Sequence, residues 1–437
     1  MQPGGATHGD AADAQRGVST PAFRRLWWAW TVSLCGDGVR ALALPLYVVI
    51  TFGDPLDVSA VSAAEVLPWL LFALPAGAIV DRVRPRQVVI VAHVLRAVLT
   101  AALVVMILLG TADVVWLCLF AFVLTAAETF AYPASQVLMV ELAGPDELDK
   151  ANARFFSVHT IGLNLVGPLA AGSLFVIDPA ITFAVDGASF VIAAILIATL
   201  PAAAPKIGET ASELGRGLRG LGAEVRSGVR MLFANRGLRT LVSMVAAGTL
   251  AISAVNAMLP LYAVQRLDMS AALVPTLLVV MALGTLLANQ VVPALARRWS
   301  DGSVMVASMF LVGAGMCLIG AYPHPVVAWS GNAVLGLGLG GWNVLSAARR
   351  QRLTPAGAMG RISGAYRVVA WGLLPIGAAL AGPIAVATSL GWVFVIAGGF
   401  VLTLLALLSL PLLTTGASTP AQPSLAPPAL PRVPSTR

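Results

Sequence analysis

Long apolar runs separated by short polar stretches dominate the chain. Each run is about 20 residues long, the length that an α-helix needs to cross the hydrocarbon core of a bilayer. The runs begin near Leu26, Val58, Val88, Val114, Asn152, Ala180, Leu238, Ala271, Val304, Val326, Ile362 and Leu390. This pattern predicts an all-α membrane protein with twelve transmembrane helices.

The two halves of the chain repeat one another. Leu44-Pro45-Leu46-Tyr47 recurs as Leu259-Pro260-Leu261-Tyr262, and a series of Pro145, Gly162, Gly167 and Gly172 recurs at one common offset as Pro355, Gly372, Gly377 and Gly382. Repeats of long apolar segments are a feature of many transporters. The sequence therefore predicts two six-helix pseudo-repeats, in residues 23–200 and 238–412, around a shared axis.

Composition supports a membrane protein and excludes a nucleic-acid partner. Hydrophobic residues make up 58% of the chain and charged residues 11%, whereas an average soluble domain is roughly 25% charged. The net charge of +7 would favour nucleic acid only if the basic residues formed a separate domain, and they do not. The expected surroundings are a lipid bilayer.

The distribution of basic residues predicts the orientation. Of the 27 Lys and Arg, all but three lie in the segments that share a side with the amino terminus. The exceptions are Arg266, in a loop of the other side, and Arg40 and Arg96, inside spans. By the positive-inside rule both termini are cytoplasmic, and the protein is placed in the inner or plasma membrane of a cell.

Three segments outside the spans offer little room for a separate activity. Residues 1–22 are polar and lack the apolar core of a signal peptide, which predicts a disordered cytoplasmic leader. Residues 201–237 join the halves, and their apolar positions at helical spacing indicate an interfacial amphipathic helix, with a solvated linker as the alternative. Those positions are Leu214, Leu218, Leu221, Val225, Val229 and Leu232. Residues 413–437 are rich in proline and are predicted to be a disordered cytoplasmic tail.

Signatures of enzymes and metal sites find no support in the chain. Gly336, Gly338 and Gly341 have the spacing of a dinucleotide-binding loop, but they lie inside a predicted span with no strand before them. The three cysteines lie singly in different spans, and the four histidines are scattered without zinc-ligand spacing. We predict no enzyme activity, no cofactor and no metal.

Ionisable residues inside the spans are the candidates for function, because charge is costly to place in lipid. Asp37 lies near the middle of the first span, and Arg40 shares its helix face. Glu128, in the fourth span, lies at a depth similar to that of Arg96 in the third. We predict that Asp37, Arg40 and Glu128 couple transport to protons, since solvent withdrawal and a nearby cation shift a carboxyl between its two forms. The alternatives are a fixed Asp37–Arg40 pair and, for Glu128, a substrate contact or a static bond with Arg96.

The two repeats differ in their charge. Glu65 and Asp186 share the depth of Arg40, could neutralise it and are predicted to be structural. The second repeat has only neutral polar residues at depth, among them Asn256, Asn289, Asn332 and Asn343. This asymmetry suggests that the first half handles charge and the second supplies an adaptable, mostly apolar wall.

The loop after the second span carries a recognisable motif. Gly77-Ala78-Ile79-Val80-Asp81-Arg82, with Arg86 after it, resembles the G-x-x-x-D-R-x-x-R signature of the major facilitator superfamily. The resemblance implies that Gly77, Asp81, Arg82 and Arg86 form a cytoplasmic gating motif that stabilises the outward-open state. The chain departs from the common pattern at Arg84-Pro85.

A second motif lies in the fifth span. Gly162, Gly167, Pro168 and Gly172 resemble the Gly-Pro-rich antiporter motif of drug and proton exchangers in that superfamily. Small residues permit close helix packing and a proline permits a kink, so the segment is predicted to be a hinge. Its echo in the eleventh span also fits helix packing alone.

The resemblance extends from Phe23 to Pro411 and is finest to the branch that includes the enterobactin exporter and macrolide efflux proteins. It implies the major facilitator fold and a cavity lined by spans one, four, seven and ten. The implied lining residues are Asp37, Arg40, Glu128, Asn256, Trp342 and Asn343. The expected function is proton-coupled efflux of an amphipathic small molecule, such as a drug, antibiotic or siderophore, by alternating access. The alternatives are an importer or uniporter of the same fold and a membrane scaffold or sensor.

Overall fold

The computed structural model of the protein describes residues 17–80, 82–201, 222, 226–355 and 358–414. Asp81, most of the leader and the proline-rich tail lie outside the described residues, as do Leu214, Leu218, Leu221 and Val225 of the predicted amphipathic helix.

The first half contains six long helices in succession. They are α1 (Pro21–Thr51), α2 (Pro55–Val80), α3 (Pro85–Leu108), α4 (Val114–Ala143), α5 and α6 (Pro179–Ala198). Helix α5 is built from Leu148–Val158, a π-helical segment His159–Val166 and Gly167–Ile177. Helix α1 begins two residues before the predicted start of the bundle at Phe23.

The second half repeats this order. Its helices are α7 (Arg236–Gln265), α8 (Val274–Arg298), α9 (Asp301–Ala321), α10 (Pro325–Leu353), α11 and α12 (Leu390–Thr414). Helix α11 is interrupted between Met359–Trp371 and Leu374–Ala387. This interruption begins at Gly372, which corresponds in the sequence repeat to Gly162 of the π-helical segment, so both repeats distort the same helix at the same place.

Helix starts are specified by short polar side chains. Asp113 Oδ1 accepts from the backbone N–H of Trp116 at 2.9 Å, and Asn235 Oδ1 accepts from that of Leu238 at 3.1 Å. Such N-caps satisfy one of the backbone donors that the first turn of a helix leaves unpaired. The caps thereby fix where α4 and α7 begin after their connecting loops.

Eleven helices among the described residues are long and apolar enough to cross a membrane. The remaining long helix, α10, has 29 residues but is less apolar, since glycines, Asn332 and Asn343 interrupt its apolar positions. It packs against α8 and α9 as α4 packs against α2 and α3. It therefore takes the place of the predicted tenth span, and the all-α, twelve-helix architecture is confirmed.

The helix neighbours obey the sequence repeat. Helix α1 packs against α5 and α6, and α7 packs against α11 and α12; likewise α3 packs against α6, and α9 against α12. Each half is thus a six-helix bundle, the two bundles are related as the repeat predicts, and one cluster of buried apolar residues runs through both.

The halves meet mainly where α2 contacts α11 and α5 contacts α8. We call the side on which α1 begins and α12 ends the terminal side, and the other the distal side. Near the distal side, Ser59 Oγ donates to the Ala378 carbonyl oxygen at 2.6 Å, and Gln265 Nε2 donates to the Gly53 carbonyl oxygen at 2.9 Å. These bonds join the two bundles at their distal ends.

Small residues let the bundles approach closely at these contacts. A methyl group placed on Gly382 of α11 would lie 2.6 Å from Ser59 Cβ and 2.7 Å from the Pro55 carbonyl oxygen of α2. Its repeat equivalent, Gly172 of α5, lies against the ring of Pro275 in α8. The two glycines therefore occupy matching inter-bundle contacts.

The segment that precedes α7 packs on the second half. Residues 226–234 form a helix in which Leu232 is fully buried together with Ile362 and Tyr366 of α11. A methyl group on Gly228 would overlap the Arg361 carbonyl oxygen. The described part of the linker is therefore attached to the terminal-side part of α11.

Candidate functional site

A network of buried ion pairs lies inside the first bundle, and Arg40 of α1 is at its centre. Arg40 Nη1 is 3.0 Å from Glu65 Oε1 of α2, and Arg40 Nη2 is 3.2 Å from Glu128 Oε2 of α4. Asp37 Oδ1, one turn before Arg40 on α1, is 3.6 Å from Arg40 Nη2. One guanidinium thus connects three helices through three carboxylates.

Arg96 of α3 completes the network. Its guanidinium pairs directly with the Asp37 carboxylate, and Arg96 Nη2 is 3.6 Å from Glu128 Oε2. The guanidinium carbon also lies 3.9 Å from the ring centroid of Phe190 on α6, a cation–π contact. His93, one turn before Arg96, stacks on the same ring at 5.9 Å between centroids.

The pairing differs from the simplest sequence-based expectation. Asp37 and Arg40 do face one another, but Asp37 pairs most closely with Arg96, and Arg40 pairs most closely with Glu65 and Glu128. The depths assigned from sequence separate Arg96 from Arg40. The two guanidiniums nevertheless meet on shared carboxylates because both side chains are long and both helices face the bundle interior.

Exposure within the network is graded. The side chains of Arg96, Arg40 and Asp37 are 2%, 4% and 5% exposed. Glu65 and Glu128 are 18% and 20% exposed. The two glutamates therefore form the accessible edge of an otherwise enclosed set of charges.

An aromatic cluster adjoins that edge. Trp69 lies one turn after Glu65, and Tyr132 one turn after Glu128, and their ring centroids are 6.2 Å apart. Trp30 of α1 lies 5.4 Å and His159 of α5 lies 6.4 Å from the Tyr132 ring. This cluster was not predicted from the sequence, although Trp69 and Tyr132 each follow a glutamate by four residues, a spacing that places them on the same helix face as that glutamate.

The glycines of the predicted hinge pack directly against the charged part of α1. A methyl group on Gly38, the residue after Asp37, would lie 2.7 Å from the Gly162 carbonyl oxygen and 3.0 Å from Gly167 Cα. Pro168 is buried at the start of the last α5 segment, and Gly172 reaches the other bundle. The crossing of α1 and α5 therefore fixes the position of Asp37.

Replacing Gly167 with Ala is expected to destabilise the first bundle, because the new methyl group would overlap the backbone of Gly38. Overpacking of a tight contact typically costs about 1–3 kcal/mol. Gly399→Ala on α12 is the matched control, since no heavy atom of a described residue lies within 4 Å of a methyl group there. Thermal unfolding in detergent should show a lowered midpoint for Gly167→Ala only; equal midpoints would contradict close packing at this crossing.

The cavity candidates of the second half separate into two groups. Asn256 of α7 and Asn343 of α10 are exposed. Trp342 is only 2% exposed and lies in the hydrophobic interior, so the structure places it in the core of its bundle and not on an accessible surface. Adjacent residues of a helix point in different directions, and here the asparagine takes the outward position.

The gating motif is described in part. Arg86 holds the start of α3 to the end of α6, donating from Nε to the Ile197 carbonyl oxygen at 3.2 Å and from Nη2 to that of Ala198 at 2.5 Å. A methyl group on Gly77 would meet no heavy atom of a described residue within 4 Å. Arg82 is half-buried in the turn between α2 and α3.

The described residues contain no group of three or more His, Cys, Asp or Glu side chains arranged to hold a metal ion. The carboxylates at the centre of the first bundle face guanidinium groups instead. The site is thus an ion-pair network with an aromatic edge.

Two repeated six-helix bundles, the first with a buried ion-pair network in its interior, define a membrane transporter that crosses the bilayer many times. Solved structures share the whole architecture. The nucleoside transporter NupG superposes with a TM-score of 0.72 over 90% of this chain and 98% of that chain, at 14% identity. A bacterial homologue of the iron transporter ferroportin, in an inward-facing state, superposes with a TM-score of 0.66 over 88% and 98%, at 16% identity.

The chain belongs to the Major Facilitator Superfamily, whose sequence profile matches residues 26–376. Among its relatives is the multidrug efflux pump Tap of Mycolicibacterium fortuitum, 28% identical over 368 residues, which are 81% of this chain and 87% of that protein. Macrolide efflux protein A of Streptococcus pyogenes is 22% identical over 303 residues, 69% of this chain and 73% of that protein. The resemblance inferred from the motifs is confirmed.

Proposed function

We propose that the protein exports an amphipathic small molecule from the cytoplasm across the cell membrane in exchange for protons. The observation that carries this proposal is the buried network of Asp37, Arg40, Glu65, Arg96 and Glu128, which includes more carboxyls than guanidiniums. Efflux as the direction is supported by the relatives that are described as a multidrug efflux pump and a macrolide efflux protein.

Because carboxyls outnumber guanidiniums, the network is able to bind a proton. Three carboxylates share two guanidiniums, so full ionisation leaves one negative charge unbalanced in the bundle interior. A buried charge without a partner is expensive, and a carboxyl in that position tends to bind a proton. A conformational change that alters solvent access then changes proton binding, which is the requirement for coupling.

Asp37 and Glu128 both contact the two guanidiniums, and Asp37 is the proposed coupling residue because it directly precedes Gly38, which packs on α5. Protonation of Asp37 weakens its pairs with Arg96 and Arg40 and leaves both to the glutamates. Since Gly38 is packed on α5, any adjustment of α1 around Asp37 is transmitted to the helix that reaches the second bundle at Gly172. Proton binding is thereby linked to the rocking of the bundles.

Substrate is proposed to occupy the space between the aromatic cluster and the second bundle. Trp69 and Tyr132 offer apolar faces, Glu65 and Glu128 offer negative charge, and Asn256 offers an adaptable hydrogen-bonding group. Such a mixture suits an amphipathic molecule with a polar or basic part.

The conformation fits loading from the cytoplasm. The described inter-bundle hydrogen bonds from Ser59 and Gln265 hold the distal ends together. With both termini cytoplasmic, as the charge distribution indicates, the distal side is extracellular and this conformation opens inward. Gly77, Asp81, Arg82 and Arg86 are then the cytoplasmic gate, which closes when substrate moves outward.

The test is transport by the purified protein in liposomes with an imposed pH gradient. Dyes, macrolides and siderophores are the first substrates to try, each with and without a protonophore. We expect at least one substrate to move uphill in the direction opposite to the flow of protons. This movement should be lost when the proton gradient is dissipated. Flux that ignores the gradient would favour a uniporter, and uphill movement in the direction of the protons would favour an importer.

A further inference from the structure

Arg367 lies on the open face of the terminal-side segment of α11. Among the described residues, none forms a hydrogen bond or an ion pair with it. The opposite face of this segment is buried against the linker and α7, through Ile362, Ala365, Tyr366 and Ala370. Arg367 is exposed, as is Trp371 one turn after it. Since Arg367 belongs to an apolar span, Arg361–Ala387, it is a candidate for the substrate pathway, where ionisable residues of spans are usually found.

The open face of α11 borders a cleft between the bundles that widens toward the terminal side. Beyond the distal contact of α2 and α11, a methyl group on Gly372 would still lie 3.1 Å from Leu70 Cδ1 of α2. Closer to the terminal side, a methyl group on Gly364 of α11 or on Gly77 of α2 would meet no heavy atom of a described residue within 4 Å. Arg367 lies between these two levels, so its side chain is in the part of the cleft that is open.

Tyr132 of α4, in the aromatic cluster, lies across the cleft from Arg367. The Arg367 guanidinium acts electrostatically on the Tyr132 hydroxyl. The depths agree with this proximity: measured by helical rise from the distal ends of α11 and α4, Arg367 and Tyr132 lie at about 30 Å and about 27 Å. By the same measure Glu65 and Glu128 lie at about 15 Å and about 21 Å. Arg367 is therefore separated from the glutamate edge by about 9–15 Å along the helix axes.

The two walls of the cleft thus carry opposite charges. Glu65 and Glu128, the accessible edge of a network with more carboxyls than guanidiniums, attract a cation and repel an anion. The Arg367 guanidinium does the reverse, and it is able to bind a carboxylate or phosphate group through two parallel hydrogen bonds. The rings of Trp69 and Tyr132 lie between these charges and offer apolar faces.

We propose that Arg367 binds an acidic group of the transported molecule and that the substrate is a zwitterion. Its basic part faces Glu65 and Glu128, its apolar body lies against Trp69 and Tyr132, and its carboxylate or phosphate group meets Arg367. This assignment rests on the proposed export function and narrows its substrate class. A purely cationic molecule would leave Arg367 without a partner, and a purely anionic one would meet the negative charge of the glutamates.

The test uses two xanthene dyes that share one cationic ring system. One dye carries a free carboxyl group, and the other is the methyl ester of the same molecule, so the pair differs only in the acid. Binding of each dye to the purified full-length protein in detergent is measured by fluorescence anisotropy. The wild type should bind the free acid about tenfold more tightly than the ester, because charge-assisted hydrogen bonds are the strong ones. Arg367→Gln should lose this preference and bind the ester as the wild type does.

Arg361→Gln is the matched control. Arg361 is likewise an exposed arginine of this segment, but it lies about 9 Å farther toward the terminal side by helical rise. The control should keep the preference for the free acid. If Arg367→Gln does not accumulate, Arg367→Ala takes its place. Four results would overturn the proposal: equal binding of both dyes by the wild type, binding of neither, a preference that survives Arg367→Gln, and a loss of affinity in Arg367→Gln that is the same for both dyes.

This measurement keeps the failures apart, because it needs neither a membrane nor a proton gradient. Proton-driven export by a protein that binds both dyes equally would overturn only the assignment of Arg367. A preference for the free acid that disappears in Arg367→Gln, in a protein that transports without moving protons, would overturn the proposed exchange and leave the anion-binding role of Arg367 in place.

Discussion

Replacing Asp37 with Asn is expected to abolish proton-driven export while the protein remains folded and inserted. Asn keeps the shape of the protonated acid but cannot release a proton. The ion-paired network of the variant then balances two guanidiniums against Glu65 and Glu128. Coupling between sites is typically worth about 5- to 150-fold, and the loss of pH-driven export should reach the upper part of that range.

The measurement compares initial rates of pH-driven export with rates of substrate exchange at equal pH on both sides. Asp37→Asn should lose pH-driven export and retain substrate exchange at equal pH. Asp113→Asn is the control, because Asp113 is an exposed N-cap of α4 that Asn can replace. Export that stays sensitive to a protonophore in Asp37→Asn would remove Asp37 from the coupling step.

A fixed structural pair would behave differently from a coupling residue. If Asp37 served only to neutralise Arg96, removing both charges in Asp37→Asn with Arg96→Gln would restore export toward the wild-type rate. Breaking a buried pair from one side costs about 3–5 kcal/mol, whereas removing both partners is often nearly neutral. We expect the double variant to remain without pH-driven export, and recovery of export would instead favour the static pair.

Replacing Gly382 with Leu is expected to hold the transporter open on its distal side. The new side chain would overlap Ser59 and the Pro55 backbone, which belong to the other bundle. Unlike the overlap at Gly167, this one is relieved when the bundles separate, so the cost falls on one conformation and not on folding. Because a shift between two states follows the difference in their free energies, a clash of a few kcal/mol is enough to empty the closed state.

Accessibility of Ser62→Cys, in a chain whose three native cysteines are replaced by Ala, reports this shift. Ser62 lies one turn after Ser59 on α2 and is 9% exposed in the closed arrangement. A membrane-impermeant maleimide should label Ser62→Cys faster when Gly382→Leu is present, and transport should be lost. Gly399→Leu on α12 is the control. Unchanged labelling would show that the distal contact of α2 and α11 does not limit opening.

The sequence predicted the architecture well because lipid imposes a simple rule. Backbone groups in the hydrocarbon region must be paired within a helix, so an apolar run of sufficient length nearly determines its structure. Even α10, whose glycines and asparagines make it less apolar, was predicted as an apolar run that begins near Val326. The π-helical segment of α5 was not predicted, since that register depends on contacts with α1 and α8.

The sequence predicted which ionisable residues form the candidate site better than it predicted which of them pair with one another. The ionisable residues were identified because charge is costly to bury in a membrane. Their partners, however, depend on the rotation of each helix and on the length of each side chain. Arg96 became the nearest partner of Asp37, and Asp186 lay close to the network without a bond to it. The buried position of Trp342 was not predicted, because the rotation of α10 about its axis cannot be deduced from residue spacing within one helix.

The charges of the first bundle have no counterparts in the second. At the repeat positions that correspond to Asp37 and Arg40, α7 carries Ile252 and Val255. The two repeats thus share their helix contacts, whereas the buried ion pairs described here lie in the first repeat. Mutations that broaden or narrow what is carried can accumulate in α7 and α10 without touching the ion pairs. Variants selected for a changed range of transported molecules are therefore expected to carry their substitutions in the second bundle and to keep the ion-paired residues of the first.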